Sequence, residues 1–333
     1  MGSSVAESLA SKDFFMKKPN DPGSNPGPRI QRGKKQIMEE NQKNWHDKYY
    51  KLLFLIPVIL TIFSVVYMVN FNASHGDFIY KDISLTGGTS VTIYDAVDAS
   101  QLKADLSDKL EDINTRVVSD LFTNEQKALV IKTKSDGDLT KQVLEDYLEY
   151  DLIPGENADF EFTGSALSES FYQQLLTAIL IAFVFMGVVV FIIFKTFVPS
   201  MAVIISALLD ILMTLVAVNL FGMQMSTAGI VAFLMLIGYS VDTDILLTTR
   251  LLKRSEGSLN KRIYSAFQTG TTMTLTSLLA ILFALFVVKS FSIILTQIFT
   301  ILAIGLVFDL LNTWITNVAI LKWYIEKKHG GGN

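Results

Sequence analysis

Four aspartates, Asp210, Asp242, Asp244 and Asp309, interrupt runs that are otherwise almost wholly apolar. In hydrocarbon a charged side chain at a helix centre costs ~2.5–3.5 kcal/mol on insertion scales, so such a residue needs a role, and taking up a proton or an ion is the first chemistry to weigh. The apolar runs that hold them have their middles near residues 211, 240 and 306. At ~1.5 Å rise per residue, Asp210, Asp242 and Asp309 then fall within roughly 5 Å of one plane. Three helices with acids at one depth predict a shared polar layer inside a bundle.

The densest group is Gly238-Tyr239-Ser240-Val241-Asp242-Thr243-Asp244, followed by Arg250. At about 100° per residue, Asp242 and Asp244 point in nearly opposite directions, so a chain of this length is not expected to bury both, and one faces a second membrane subunit. Asp242 is the first choice for the proton-responsive group, because a polar layer at a subunit seam lets a carboxylate change charge. Arg250 lies too far along a straight helix to pair with Asp242, and either snorkels to the interface or meets an acid on another helix. Asn312, Thr313 and Asn317 follow Asp309, and Thr269, Thr272, Thr274 and Thr276 line another run. For these hydroxyls and amides, interhelical hydrogen bonding worth ~1 kcal/mol each is the plainer reading.

These residues need spans to carry them. With 50% hydrophobic and 18% charged residues, the chain is neither an ordinary soluble globule nor a disordered one. The spans are Leu52–Val69, Leu175–Phe194, Met201–Phe221, Thr227–Leu252, Thr271–Val288 and Phe291–Leu321, giving six transmembrane helices. Lysine and arginine gather before the first span (Lys34, Lys35, Lys43, Lys48, Lys51), between the fourth and fifth (Arg250, Lys253, Arg254, Lys261, Arg262) and after the last (Lys322, Lys327, Lys328). That places both termini in the cytoplasm and residues 71–170 outside it. The outer segment has 20 acidic and 8 basic residues, a charge of −12 inside a total of −4. Acidity of this kind serves solubility first and a cationic partner second.

Residues 1–36, rich in Gly, Pro, Ser and Asn, read as disordered. Residues 37–70 read as an interfacial segment leading into the first span, 171–325 as the remaining five-helix bundle, and 326–333 as a cytoplasmic tail. Within 71–170, Ile83–Tyr94 is strand-like and broken at Gly87-Gly88, which precede Thr89; the glycines read as a place where the strand bends close to a neighbour. Ser100 is a candidate N-cap for a helix with Leu102, Leu106, Leu110 and Ile113 inside. Thr115–Phe122 and Ala128–Thr133 read as strands, Leu139–Leu152 as a second helix and Asp159–Thr163 as a last strand. The order β-α-β-β-α-β predicts an α+β ferredoxin-like domain between helices 1 and 2 of an α-helical membrane protein.

Other function classes are disfavoured. The balance of 28 basic and 32 acidic residues argues against nucleic acid, and the lack of cysteine rules out disulfides, thiol catalysis and cysteine-held metals. His46, His75 and His329 are scattered, with no metal spacing, and His75 reads as a solvated loop residue without a partner. No H-E-x-x-H, P-loop or G-x-S-x-G is present, so no enzyme, cofactor or metal is expected.

Several segments together resemble the SecF family of protein-export membrane subunits, particularly its archaeal form. They are Leu85-Thr-Gly-Gly-Thr89, Ala207-Leu-Leu-Asp-Ile211, Leu236-Ile-Gly-Tyr-Ser-Val-Asp-Thr-Asp244 through Arg250, the threonine-rich entry to helix 5, and Gly305-Leu-Val-Phe-Asp309. The similarity runs from about Trp45 to Trp323. Where bacterial members have Asn-Asp-Thr, this chain has Asp242-Thr243-Asp244. The resemblance implies a six-helix half of an RND-type transporter, completed by a SecD-like six-helix subunit. It also implies association with the Sec translocon (a SecY-type channel), exported polypeptide as client, and protons as the driving ion through Asp242, Asp244, Asp210, Asp309 and Arg250. Tyr239, Ser240, Thr243, Asn312, Thr313 and Thr276 would support that layer, and Gly87, Gly88, Thr89 and Gly238 would be structural. Rival expectations are an RND-type exporter of small molecules or lipids, and an assembly scaffold without ion coupling.

Overall fold

Long apolar runs leave the backbone little choice but helix, because hydrocarbon offers no partner for free N–H and C=O groups. The computed structural model describes residues 52–120, 123–253 and 258–330. In chain order the elements are α1 (Leu55–His75), the single turn α2 (Ile83–Thr86), β1 (Gly88–Ile93), α3 (Ala99–Leu106), β2 (Asn114–Ser119), β3 (Gln126–Thr133), α4 (Gly137–Leu148) and β4 (Ala158–Thr163). There follow α5 (Ser165–Phe194), α6 (Phe197–Leu220), α7 (Thr227–Lys253), α8 (Leu259–Val288) and α9 (Ile293–Leu311), which runs through a π-helical segment (Asn312–Asn317) into α10 (Val318–Gly330). Six helices are long and apolar enough to cross a membrane, the last being the continuous α9–π–α10 rod.

Two spans are longer than hydropathy predicts. The α8 helix starts at Leu259 rather than near Thr271, because Ser258 caps it by accepting from the Lys261 N–H, and Lys261, Arg262 and Gln268 hide its first turns from a hydropathy reading. Similarly, α5 begins at Ser165, ten residues before the apolar run. The proposed disordered and interfacial segments before Leu52, and the end of the strand expected to reach Phe122, lie outside the described residues.

Between α1 and α5 the four strands form one antiparallel sheet in the order β2-β3-β1-β4. Leu102, Leu106, Leu110 and Ile113 are buried, as their spacing predicts, against Val91, Ile93, Leu129, Ile131 and Leu144. The N-cap is Asp98, not Ser100: its carboxylate accepts from the Ser100 and Gln101 N–H groups. The strand expected over Ile83–Tyr94 divides into α2 and β1 at the two glycines. Gly87 has φ +84°, and a Cβ there would meet Ser165 Cα at 2.5 Å; Gly88 has φ +141°, and a Cβ would meet the Thr133 carbonyl oxygen at 2.3 Å. Both positions therefore demand glycine on conformation and on space. Thr89 donates to the Ser135 carbonyl at 2.9 Å, fixing the start of β1. His75 does have partners: it ends α1, stacks on Phe71 and lies 3.4 Å from the Tyr80 hydroxyl.

Within the bundle α7 packs against α6, α8 and α9. Small residues permit the closest approaches. A Cβ at Gly305 of α9 would sit 2.5 Å from both Leu236 methyl groups of α7, and one at Gly270 of α8 would sit 2.5 Å from the Trp314 ring. The α7–α8 elbow is tied both ways, Arg250 Nη1 donating to the Ser265 carbonyl at 2.5 Å and Arg262 Nη1 to the Leu251 carbonyl at 2.8 Å.

A buried carboxylate cluster as the candidate functional site

Three acids meet in the bundle interior, each from a different helix: Asp210 from α6, Asp244 from α7 and Asp309 from α9, all wholly buried. Asp210 accepts from the Ser240 hydroxyl at 2.5 Å and the Asn312 amide at 2.7 Å. Asp244 accepts through Oδ1 from the Asn317 amide at 2.7 Å and the Thr313 hydroxyl at 2.9 Å. The same Thr313 oxygen lies 3.2 Å from Asp309 Oδ1. Asp244 Oδ2 and Asp309 Oδ2 are buried with no hydrogen-bond partner among the described residues.

Local backbone geometry makes this possible. Asn312, Thr313 and Asn317 all stand on the π-helical segment, whose wider turn alters the usual helical spacing; such bulges are frequent at functional sites. Thr316 donates to Asn312 Oδ1 at 3.3 Å, which turns the Asn312 amide hydrogens toward Asp210. Among the described residues no lysine, arginine or histidine forms an ion pair with any of the three acids, and no group of three or more acids or histidines is placed to hold a metal ion. The chemistry left to the cluster is therefore that of protons and neutral donors.

Asp242, the first choice from sequence, is not in the cluster. It lies exposed on the opposite side of α7 from Asp244, as their angular separation requires, and Gly238 and Tyr239 are exposed with it. Ser240, Asn312 and Thr313 are brought to the acids, and Asn317 joins them. Thr243 is buried but turns toward α8, 3.5 Å from Thr274. Thr276 is exposed and donates to the Thr272 carbonyl of its own helix, as Thr269 and Thr272 do to theirs, so these hydroxyls satisfy themselves four residues back. Arg250 meets no acid; its guanidinium binds Ser265, through both the carbonyl and the hydroxyl.

Residues 147–327, more than half of the chain, match the family model described as the C-terminal part of the protein-export membrane proteins SecD/SecF. The protein-export membrane protein SecF of Methanocaldococcus jannaschii is 40% identical over 286 residues, covering 84% of this chain and 97% of the relative. This chain belongs to the SecF family. The SecF protein of Pyrococcus furiosus is 32% identical over 296 residues, covering 88% of this chain and 97% of the relative. The fold is also that of SecDF from Thermus thermophilus, a translocon-associated membrane protein, with a TM-score of 0.66 at 19% identity. That match covers 86% of this chain but 39% of SecDF, so the SecF chain spans well under half of the SecDF polypeptide.

Proposed function

We propose that this SecF chain works in protein export beside a SecD-like six-helix membrane subunit, and that proton movement through Asp210, Asp244 and Asp309 drives its working cycle. The observation that carries the reading is the Thr313 hydroxyl between two buried carboxylates. A hydroxyl has one hydrogen to donate, yet Thr313 lies within hydrogen-bond distance of both Asp244 and Asp309. Both contacts are satisfied when one of the two acids carries a proton and donates it to Thr313, while Thr313 donates to the other. Moving that proton exchanges the roles. Without a cation beside them, two charged carboxylates at this separation would repel in a low-dielectric interior, which also favours a shared proton.

The remaining parts follow the same reading. Residues 71–170 form an extracytoplasmic domain, and its strand order and antiparallel sense support a ferredoxin-like unit. Residues 1–36, 37–70, 171–325 and 326–333 keep the cytoplasmic tail, entry helix, bundle and exit tail assigned from sequence, with both termini in the cytoplasm. On α7, Val231, Met235, Gly238, Tyr239 and Asp242 are exposed at helical spacing, and at Gly238 there is open space where a Cβ would stand. A carboxylate facing lipid is costly, so this stripe is the contact face for the SecD-like subunit, with the glycine allowing close approach. Export through the SecY-type channel, with polypeptide as the client, is the process served.

Sealed membrane vesicles with this chain, its partner subunit and the translocon test the proton reading. Collapsing the proton gradient is expected to slow release of a late translocation intermediate severalfold; equal rates with and without the gradient would exclude proton coupling. Asp242→Asn tests the contact face separately. Recovery of the second six-helix subunit on affinity purification should fall while the chain itself accumulates normally, and unchanged recovery would move the interface elsewhere.

A further inference from the structure

All three acid-bearing helices are tied, at the end nearest the sheet, to one short strap, residues 77–86. From α6, the Asn219 amide donates to the Phe78 carbonyl at 2.8 Å. The α6–α7 loop pairs with the strap by two backbone bonds, Met225 N–H to the Tyr80 carbonyl at 2.6 Å and Asp82 N–H to the Met225 carbonyl at 2.9 Å. The first residue of α7, Thr227, donates its N–H to Ser84 Oγ at 3.2 Å. From α9, Gln297 donates to the Gln224 carbonyl at 2.5 Å and accepts from the Ser226 hydroxyl. Leu85 of the strap is fully buried and belongs to the same apolar cluster as Met225, Ile230 and Ile301.

The strap is joined to the sheet differently. Two covalent connections run between sheet and bundle, and both pass through glycine: Gly87-Gly88 into β1, and Gly164 out of β4 into α5. Glycine gives the backbone the widest conformational freedom, so both connections can act as hinges. Across them reaches one ion pair. Asp82, 4% exposed, receives Lys132 Nζ of β3 on both oxygens, at 2.9 and 3.0 Å. Removing one member of a buried pair leaves the other charge uncompensated, so its two ends are expected to stay together.

We infer that Asp82 and Lys132 form a clasp that makes the sheet domain follow the acid-bearing helices α6, α7 and α9, with Gly87-Gly88 and Gly164 as the hinges on which it turns. The inference rests on the proposed proton cluster for its input and assigns its output. Asp82 and Lys132 are positioning residues: they touch neither the acids nor a client, and act through the orientation of the domain.

The chain has no cysteine, so two introduced thiols can be labelled without background. Spin labels at Lys103→Cys in the sheet domain and Lys289→Cys at the end of α8 report the domain's attitude by pulsed electron resonance on the full chain in lipid nanodiscs. A second pair, Lys195→Cys with Lys327→Cys, reports the bundle alone. Asp244→Asn is expected to shift the mean distance of both pairs. With Lys132→Met added, the bundle pair should still shift, while the domain pair becomes broad and indifferent to residue 244. The exchanged pair Asp82→Lys with Lys132→Asp should restore the domain response, which separates loss of the clasp from misfolding. A domain shift that survives Lys132→Met intact would overturn the clasp and leave the proton reading standing. No response of either pair to Asp244→Asn would overturn both.

Discussion

Asp244→Asn is expected to abolish SecF-dependent export while leaving the folded protein as abundant and as heat-resistant as the parent, or more so. Opposite signs for function and stability follow from the surroundings of the side chain. Asn317 and Thr313 donate to Oδ1, and an asparagine oxygen at that place accepts the same two bonds. Oδ2 has no partner, so an amide nitrogen there breaks no hydrogen bond. Replacing a buried ionisable group by a neutral one of equal shape is often neutral or stabilising. What disappears is the capacity to exchange a proton with Asp309 across Thr313. Export in cells, together with thermal unfolding of the purified chain, checks both halves. Normal export by Asp244→Asn would remove this acid from the mechanism, and joint loss of folding and export would make it a packing group.

A Gly305→Val chain is expected to accumulate poorly, with what does accumulate inactive. A Cβ at residue 305 already lies 2.5 Å from both Leu236 methyl groups, and valine adds two more carbons. Overpacking of this kind costs typically 1–3 kcal/mol even where neighbours shift. The shift itself is damaging, since Gly305 is one turn before Asp309 and two before the π segment. Pushing α9 from α7 lengthens the 2.9 Å contact between Thr313 and Asp244 beyond hydrogen-bond reach. Leu236→Ala in the same chain removes the obstructing methyl groups and should recover accumulation and part of export. Failure of that second change to help would place the defect in the conformation of α9 rather than in its distance from α7.

Much of this was legible because hydrocarbon imposes strict rules. Six spans, a sheet domain between the first two, and acids brought together from separate helices all follow from apolar runs, alternation and the cost of a carboxylate. Depth along a span was readable; direction around it was not. Asp242 and Asp244 differ by two residues, and deciding which faces inward requires knowing where α6 and α9 lie. Sequence spacing could not place Asn312, Thr313 and Asn317 either, because the π segment departs from the 3.6-residue turn that such reasoning assumes. The threonines of α8 illustrate another limit, since a hydroxyl that bonds its own helix and one that bonds a neighbour have the same sequence signature. The strap went unread for a different reason: Asn219, Gln297, Asp82 and Lys132 are ordinary residues whose significance lies in long-range contacts.

The π segment also sets the rotational phase of everything after it. Relative to a regular helix, a wide turn behaves as one inserted residue, so removing any single residue between Asn312 and Asn317 would let the rod close into unbroken α-helix. The part beyond would then rotate by about 100° and retreat by about 1.5 Å. Val318, Leu321 and Ile325, now buried together, would swing out of the core that they share with Leu247, Leu251 and Ile263. The last span is therefore indexed: its length in residues, and not only its apolarity, is fixed by the need for one half to present amides to carboxylates and the other to present aliphatic side chains to its neighbours.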